Sequence, residues 1–248
     1  MIKVLLLTRR IHAEIISFNK NFNKTGYEVY INSGDNMTDI HFILKGFENT
    51  PYERGWYHGI LKLSEDYPHQ PPSLYMITPS GRFMSERSIN LHGYKLRHQE
   101  MWSPIQNFQT IIMNLINEMI IPSDGCYCGH CGTIKYDAEM IKKYATQSID
   151  NIENDDDVKR FFPSIYDIIV CELSIAKYLS LMVYISDGYY NIKKDNMTKN
   201  QKKMKKYFEI ITKLPFELQI YVSCITKGVH FKIINTKFIE KGLRKMII

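Results

Sequence analysis

No stretch of this sequence stays apolar for the ~18 residues that a membrane-crossing helix needs. The nearest candidate, LSIAKYLSLMVYIS, is shorter and is interrupted by Lys177. The opening MIKVLLLTRR has a brief apolar run followed by arginines, with no small-residue cleavage site, so neither a secretory leader nor a membrane anchor is expected. Cysteine is scarce. The five are Cys126, Cys128, Cys131, Cys171 and Cys224. Their odd number and the crowding of three within six residues make a poor disulfide framework. A reducing, cytoplasmic location is expected, with the nucleus as the alternative. Acidic residues are outnumbered, 26 against 32 Lys and Arg, and much of the +6 excess lies between Lys193 and Lys206. That run has no interleaved aromatics, so nucleic acid is not an expected partner. It reads as a solvated linker over about 190–206 or as the outer face of a helix. One more absence bears on chemistry. GRFMSERSINLHGYKLRHQEMWSP, from Gly81 to Pro104, holds the Asn, His, Arg, Ser and Glu of a reactive loop but no cysteine.

What is present is the make-up of an ordinary soluble protein. Its 248 residues are 44% hydrophobic and 23% charged, enough to bury a core in one domain plus an appendage. The abundance of Ile, Lys, Asn and Tyr points to an AT-rich genome, such as that of a large DNA virus or a protist. Between Arg9 and Phe22, Ile11, Ile15, Ile16 and Phe18 recur at helical spacing. The period then drops to two. YEVYINS, DIHFILKG, WYHGILKLS and SLYMIT read as strands, and the turn-rich SGDN, NTPYERG and YPHQPP between them are too short for crossover helices. An antiparallel meander follows, with Tyr52, Trp56, Tyr57, Tyr75 and Trp102 as expected core markers. Helical patterns resume at FQTIIMNLINEMI, near Asp137, and after the acidic NDDD, whose charge suits a helix N-terminus. Pro163 is expected to break the pattern after RFF. The expected division is 1–171 for the core with its following helices and 172–248 for a helical extension. Within the extension, Leu214-Pro215-Phe216-Glu217-Leu218 resembles the start of an F-box, and equally any short helix opened by a proline.

The central residues carry a more specific likeness. Thr50-Pro51-Tyr52, Gly55, Tyr57-His58-Gly59, Tyr67-Pro68, Pro71-Pro72, Tyr75-Met76-Ile77-Thr78-Pro79, Gly81-Arg82-Phe83 and Trp102-Ser103-Pro104 fall in order. Together with YATQSIDN and VKRFFPSI downstream, residues 8–171 resemble the ubiquitin-conjugating enzymes, nearest to their ER-associated, tail-anchored branch. The resemblance implies an α+β architecture, the ubiquitin-conjugating (UBC) fold. It also implies thioester chemistry, in which a cysteine accepts ubiquitin from an activating enzyme and passes it to a lysine. The branch's membrane anchor is not expected here.

Several positions depart from the pattern. The family cysteine lies ten residues past the third residue of a Pro-Asn motif, which is Thr78-Pro79-Ser80 here, and the count lands on Asn90 between Ile89 and Leu91. A carboxamide is no nucleophile at neutral pH. Ser80 stands where the motif asparagine would help hold the oxyanion, and a hydroxyl supplies no planar donor there. Following Asn90, the loop to Trp102 is one residue longer than the branch pattern. His69 replaces the phenylalanine of the ligase-docking loop, and Ser103 and Pro104 complete the ligase-contact surface that the resemblance implies. His92 and His98 read as exposed loop residues rather than acid–base groups. The CYCGHC stretch offers Cys126, Cys128 and Cys131 as thiol ligands. A structural zinc would need a fourth donor, His130 being awkwardly adjacent and Asp124 possible; unliganded or redox-reactive thiols are the alternatives. No other cofactor is expected.

The reading is a non-catalytic member of the ubiquitin pathway, a pseudoenzyme that binds ubiquitin or a ubiquitin-like protein, a ligase or a true conjugating enzyme without a covalent step. An active transferase with a changed nucleophile is one alternative. An adaptor that recruits a target or nucleic acid through the C-terminal extension is the other.

Overall fold

The computed structural model describes residues 2–85, 87–89, 102–121, 133–170, 179, 181 and 199–226. Helix α1 (Ile2–Asn21) leads through a 3-10 turn at Phe22–Thr25 into four strands: β1 (Val29–Ser33), β2 (Asp39–Lys45), β3 (Trp56–Lys62) and β4 (Ser73–Met76). Helices α2 (Phe108–Ile120), α3 (Ala138–Glu153) and α4 (Asp156–Phe161) follow. The strands form one antiparallel sheet in the order β1-β2-β3-β4. This is the α+β arrangement of the ubiquitin-conjugating fold anticipated above. Backbone contacts divide the chain into two compact units, 1–166 and 167–248.

The inner face of the sheet carries Val29, Ile31, Ile40, Phe42, Leu44, Tyr57, Leu61, Leu74 and Met76 in its core cluster. Helix α1 brings Ile11 and Phe18 to the same cluster, and Phe18 stacks on Phe22 at 4.3 Å. Its helix begins seven residues earlier than the apolar spacing suggested, because the first turns are exposed at Leu5 and Leu6 and need no apolar pattern. The Asn19 side chain donates to the Ile31 carbonyl at 3.2 Å and accepts from the Ile31 N–H at 3.4 Å. Helix α2 buries Phe108, Ile111, Ile112, Leu115, Ile116 and Met119, the i, i+3, i+4 stripe of a core-facing helix. Asn107 caps it by accepting from Thr110 N at 3.1 Å. At Gly59 a side chain would strike the Phe42 ring at 2.2 Å, so this strand position admits only glycine.

The outer face does not show the polar alternation that a strand period of two gives a sheet with one solvated face. Ile40 to Leu44 and Trp56 to Leu61 are buried without interruption. Both faces of the central strands are covered, a state more often seen where helices flank a sheet on both sides. The outer cover is α3 and α4. Ser148 of α3 accepts from Trp56 N at 2.9 Å, Asn32 of β1 donates to the Phe161 carbonyl at 2.8 Å, and the Phe161 ring lies 4.7 Å from that of His41. Tyr75, expected in the core, is only half buried, because Leu74 and Met76 take the inner positions of β4. Trp56 is buried, but on this outer face rather than in the inner cluster.

Both α3 and α4 start where their sequence signals lie. Asp137 accepts from Glu139 N and Met140 N; Asp155 accepts from Asp157 N and Val158 N. Helix α4 ends at Phe161, and Pro163 opens a new helical stretch over 163–170 instead of extending it. In the second unit, helices run over Lys199–Ile211 and Phe216–Thr226. Lys202, Lys203 and Lys206 are exposed, so that part of the lysine run is a solvated helix face. No described helix is long and apolar enough to cross a membrane.

Candidate functional site

The site region begins at the end of β4. Ile77 N and Thr78 N both donate to the His58 carbonyl, at 2.9 and 3.0 Å, and His58 N donates to Thr78 Oγ1 at 2.9 Å. Three bonds to one residue of β3 thus fix the start of Thr78-Pro79-Ser80. Ser80 is fully buried, and its hydroxyl accepts from Phe83 N at 3.2 Å and Arg82 N at 3.3 Å. The oxygen is therefore turned onto its own backbone. Gly81 follows with φ of 75°, in the left-handed region, and a Cβ there would meet Tyr144 at 2.9 Å and Ile141 of α3 at 3.1 Å. The turn is closed by these local demands. It owes nothing to a longer side chain at Ser80.

Arg82 anchors the turn from below. Its guanidinium is buried, donates to Glu118 of α2 at 2.5 Å, and reaches the Ile134 carbonyl. Phe83 bridges Thr133, and Ile134 N donates to the Arg82 carbonyl at 2.7 Å. The segment that carries Cys126, Cys128 and Cys131 thus runs between two fixed points, Ile121 at the end of α2 and Thr133. The three cysteines themselves lie outside the described residues, as do His92, His98, Asp124 and His130. Among the described residues no group of three or more His, Cys, Asp or Glu could hold a metal ion.

The approach to position 90 is fixed from the other side. Ile89 is fully buried and bridges Leu74, with Ile89 N donating to the Leu74 carbonyl at 2.8 Å. The residue before position 90 is therefore tied to β4. Asn90 itself lies outside the described residues.

The residues assigned to ligase contact come together from two distant segments, which α1 fastens from behind. Trp102 Nε1 donates to the Pro68 carbonyl at 2.7 Å, which ties the Ser103-Pro104 turn to the loop holding His69. Arg10 of α1 donates to the Pro104 carbonyl at 3.0 Å. Arg10 also pairs with Glu14, whose carboxylate accepts from the Tyr67 hydroxyl at 2.8 Å and from Phe108 N at 3.1 Å. Burial, with Glu14 alongside, pushes the Tyr67 phenol far above its usual range, so it donates and does not ionise. His69 and Pro104 are exposed and Ser103 is half buried. This corner is a rigid, solvent-facing knob built on one buried carboxylate.

A second polar constellation is not singled out as a site by the sequence. His41 Nδ1 lies 2.9 Å from His58 Nε2, and His58 Nδ1 lies 2.7 Å from Asp155 Oδ2. Burial pushes His41 below the ordinary histidine value, and His58 adds to the shift; Asp157, Asp39 and Asp155 pull the other way. For Asp155, burial alone would raise the value. The hydrogen bond and charge of His58, with the N–H groups of Val158 and Asp157, outweigh it and hold the carboxyl below its usual range. Spacing gives no access to such a trio, since His58 and Asp155 are 97 residues apart. The hints are that both histidines sit inside otherwise apolar strands and that His58 falls within the Tyr57-His58-Gly59 match.

Comparison with known proteins places this geometry. Residues 10–126 match the family model described as ubiquitin-conjugating enzyme. A probable ubiquitin-conjugating enzyme of Acanthamoeba polyphaga mimivirus is 39% identical over 139 residues, which is 53% of this chain and 35% of that protein. The ubiquitin-conjugating enzyme E2 J2 of Homo sapiens is 39% identical over 85 residues, 34% of this chain and 32% of its own length. The ubiquitin-conjugating enzyme E2 6 of Candida glabrata is 31% identical over 143 residues, 58% of this chain and 56% of its own. The chain therefore spans between about a third and just over half of the curated relatives it matches.

Proposed function

The chain belongs to the ubiquitin-conjugating enzyme family through residues 10–126, and from that premise we propose that it acts in the ubiquitin pathway without forming a thioester. The observation that carries this reading is the state of the reactive loop. Counting from Ser80 puts Asn90 at the nucleophile position, next to Ile89 on the edge of β4. An amide nitrogen there cannot accept an acyl group from an activating enzyme. Ser80, where an oxyanion donor would stand, directs its oxygen to Arg82 N and Phe83 N. Removing one such donor from an active site typically costs about 2.7–4 kcal/mol, or roughly a hundred- to thousandfold in rate. What the fold retains is surface: the knob of His69, Ser103 and Pro104 fits noncovalent contact with a ligase, with ubiquitin or with a catalytically complete conjugating enzyme. The reading keeps the protein in the cytoplasm or nucleus, off the membrane, and with no cofactor beyond a structural zinc at Cys126, Cys128 and Cys131.

The test is a charging reaction with ubiquitin, activating enzyme and ATP, run on the full chain and on Asn90→Cys. The full chain forms no thiol-sensitive adduct, whereas Asn90→Cys gains a slow one. An adduct on the unaltered chain, mapped to any of its cysteines, establishes the active-transferase reading instead. No adduct on a folded Asn90→Cys removes the assignment of position 90.

A second reading has its own observation. Leu218, Tyr221 and Ile225 are exposed at i, i+3 and i+7 on the helix Phe216–Thr226. Such a stripe suits an adaptor that recruits a target through the C-terminal unit. Loss of target capture with retained ligase binding, in Leu218→Ser with Tyr221→Ser, separates this role from the first.

A further inference from the structure

The outer face of the sheet is joined to α4 through one line of side chains. Asp155 caps α4 with one carboxylate oxygen and accepts from His58 with the other. The far nitrogen of His58 meets His41 at 2.9 Å, and His41 lies against Phe161 at the other end of the same helix. Both ends of α4 are therefore fastened by one connected chain, and His58 also carries the three backbone bonds that fix Ile77 and Thr78.

The contact between the imidazoles sets a limit on protonation. A nitrogen–nitrogen distance of 2.9 Å is a hydrogen bond with a single proton in it. With His58 Nδ1–H donated to Asp155, either His41 donates to His58 or His58 donates to His41. One added proton is accommodated by a change of tautomer, and its charge is matched by Asp155. A second puts two N–H groups face to face and two cations together. The groups facing the pair do not change this. From α4 they are Asp155 and Asp157, and from β2 Asp39. Strand β1 presents the neutral Asn32, and Arg160 of α4 is held by Asp35 at 2.5 Å.

We propose that His41, His58 and Asp155 form a proton-limited clamp, which holds α4 on the outer face of the sheet while the imidazoles share one proton and lets go when each carries its own. Protons have a path to it. The side chain of His58 is fully buried, but that of Asp155 is 14% exposed and lines a cleft of about 440 Å³ with Thr78, Pro79, Asn151 and Asn154. Release frees α4 and the α3–α4 turn, uncovers Ile43, Trp56 and Ile60, and loosens the Thr78 entry to the reactive loop. Helix α2, on the opposite face, is untouched. The three groups bond one another in a line and do not converge on a common point, and no metal-holding group of three exists among the described residues, so the trio is a proton device.

Hydrogen exchange of the full chain, expressed as protection factors at about pH 7.5 and about pH 5.5, spans the range in which a histidine changes charge. Residues 155–161 lose protection several-fold on acidification while α2 does not. In His41→Gln, which still offers an amide to His58 but takes up no proton, that difference between the two pH values disappears. The clamp is overturned if 155–161 and α2 respond alike, or if His41→Gln keeps the full acid response. Should His41→Gln not fold, proton NMR of the unaltered chain decides. Two separated histidine steps, with the Trp56 indole moving in the second, uphold the clamp. Independent titration of both rings with Trp56 unmoved removes it.

Discussion

The two faces of the sheet are held by different physics. On the inner face, Phe42, Leu44, Leu61 and Met76 meet the apolar stripes of α1 and α2, and the contact is dispersion and lost water. On the outer face, apolar residues of equal burial are threaded with His41, His58, Ser148 and Asp155, each engaged by a specific partner. An apolar contact tolerates a change of pH, whereas a buried polar group is favourable only while its partner is in the right state. The inner face thus sets how stable the domain is, and the outer face sets under what conditions its helices stay down.

The contrast is sharpest under substitution. Leu115→Ala on α2 opens a cavity in the inner core and costs about 2–5 kcal/mol. The loss read by denaturant unfolding is the same at pH 5.5 and pH 7.5 to within about 0.5 kcal/mol. A strongly pH-dependent loss would mean that the two faces are not energetically separate.

Ser148→Ala tests the outer face without touching a titrating group. Its hydroxyl accepts from Trp56 N and donates to the Ala145 carbonyl at 2.8 Å. Removing it leaves a buried N–H unpaired, at about 1–3 kcal/mol. The rise in hydrogen exchange appears at Trp56 and not along α2; a change spread evenly over both would break the comparison.

Asp155→Ala loses a helix cap, about 0.5–2 kcal/mol at neutral pH, and also takes the acceptor from the buried His58 Nδ1–H. The sign of the effect with pH is set by the carboxyl being held below its unfolded value. Stability from such a group is present above about pH 4, the unfolded value, and is lost as pH falls through the folded one. The unaltered chain and Asp155→Ala should therefore converge in acid. His41 adds a loss of the same direction at higher pH, because the unfolded chain protonates this histidine first. Parallel pH–stability curves would show that the Asp155 carboxyl is not held below its unfolded value.

How much of this was legible follows from the range of each interaction. The strands, the Asp137 and Asp155 caps and the stop before Pro163 are local, and residues within a few positions specify them. The α2 stripe is equally local. Burial on both faces does not follow from a period of two, although DIHFILK and WYHGILK are apolar almost throughout and only the histidines mimic alternation. The His41–His58–Asp155 line and the Glu14 anchor join residues far apart in the chain, and no spacing rule reaches that far. For the reactive loop, the structure contributes its two approaches, Ser80 and Ile89, while Asn90 and the cysteine trio rest on the sequence.

The two bonds between Asn19 and Ile31 have a consequence for how the protein behaves in a crowded solution. Strand β1 is a border of the sheet, and an open border offers unpaired N–H and C=O groups on which another chain can add a strand. At Ile31, the middle of the five-residue strand, both groups are already taken by a side-chain amide that imitates a neighbouring peptide. The opposite border, β4, has its own occupant in Ile89. A sheet whose borders are occupied at these points is a poorer template for edge-to-edge aggregation. Asn19→Ala should show its defect as assembly on concentration more than as lost stability.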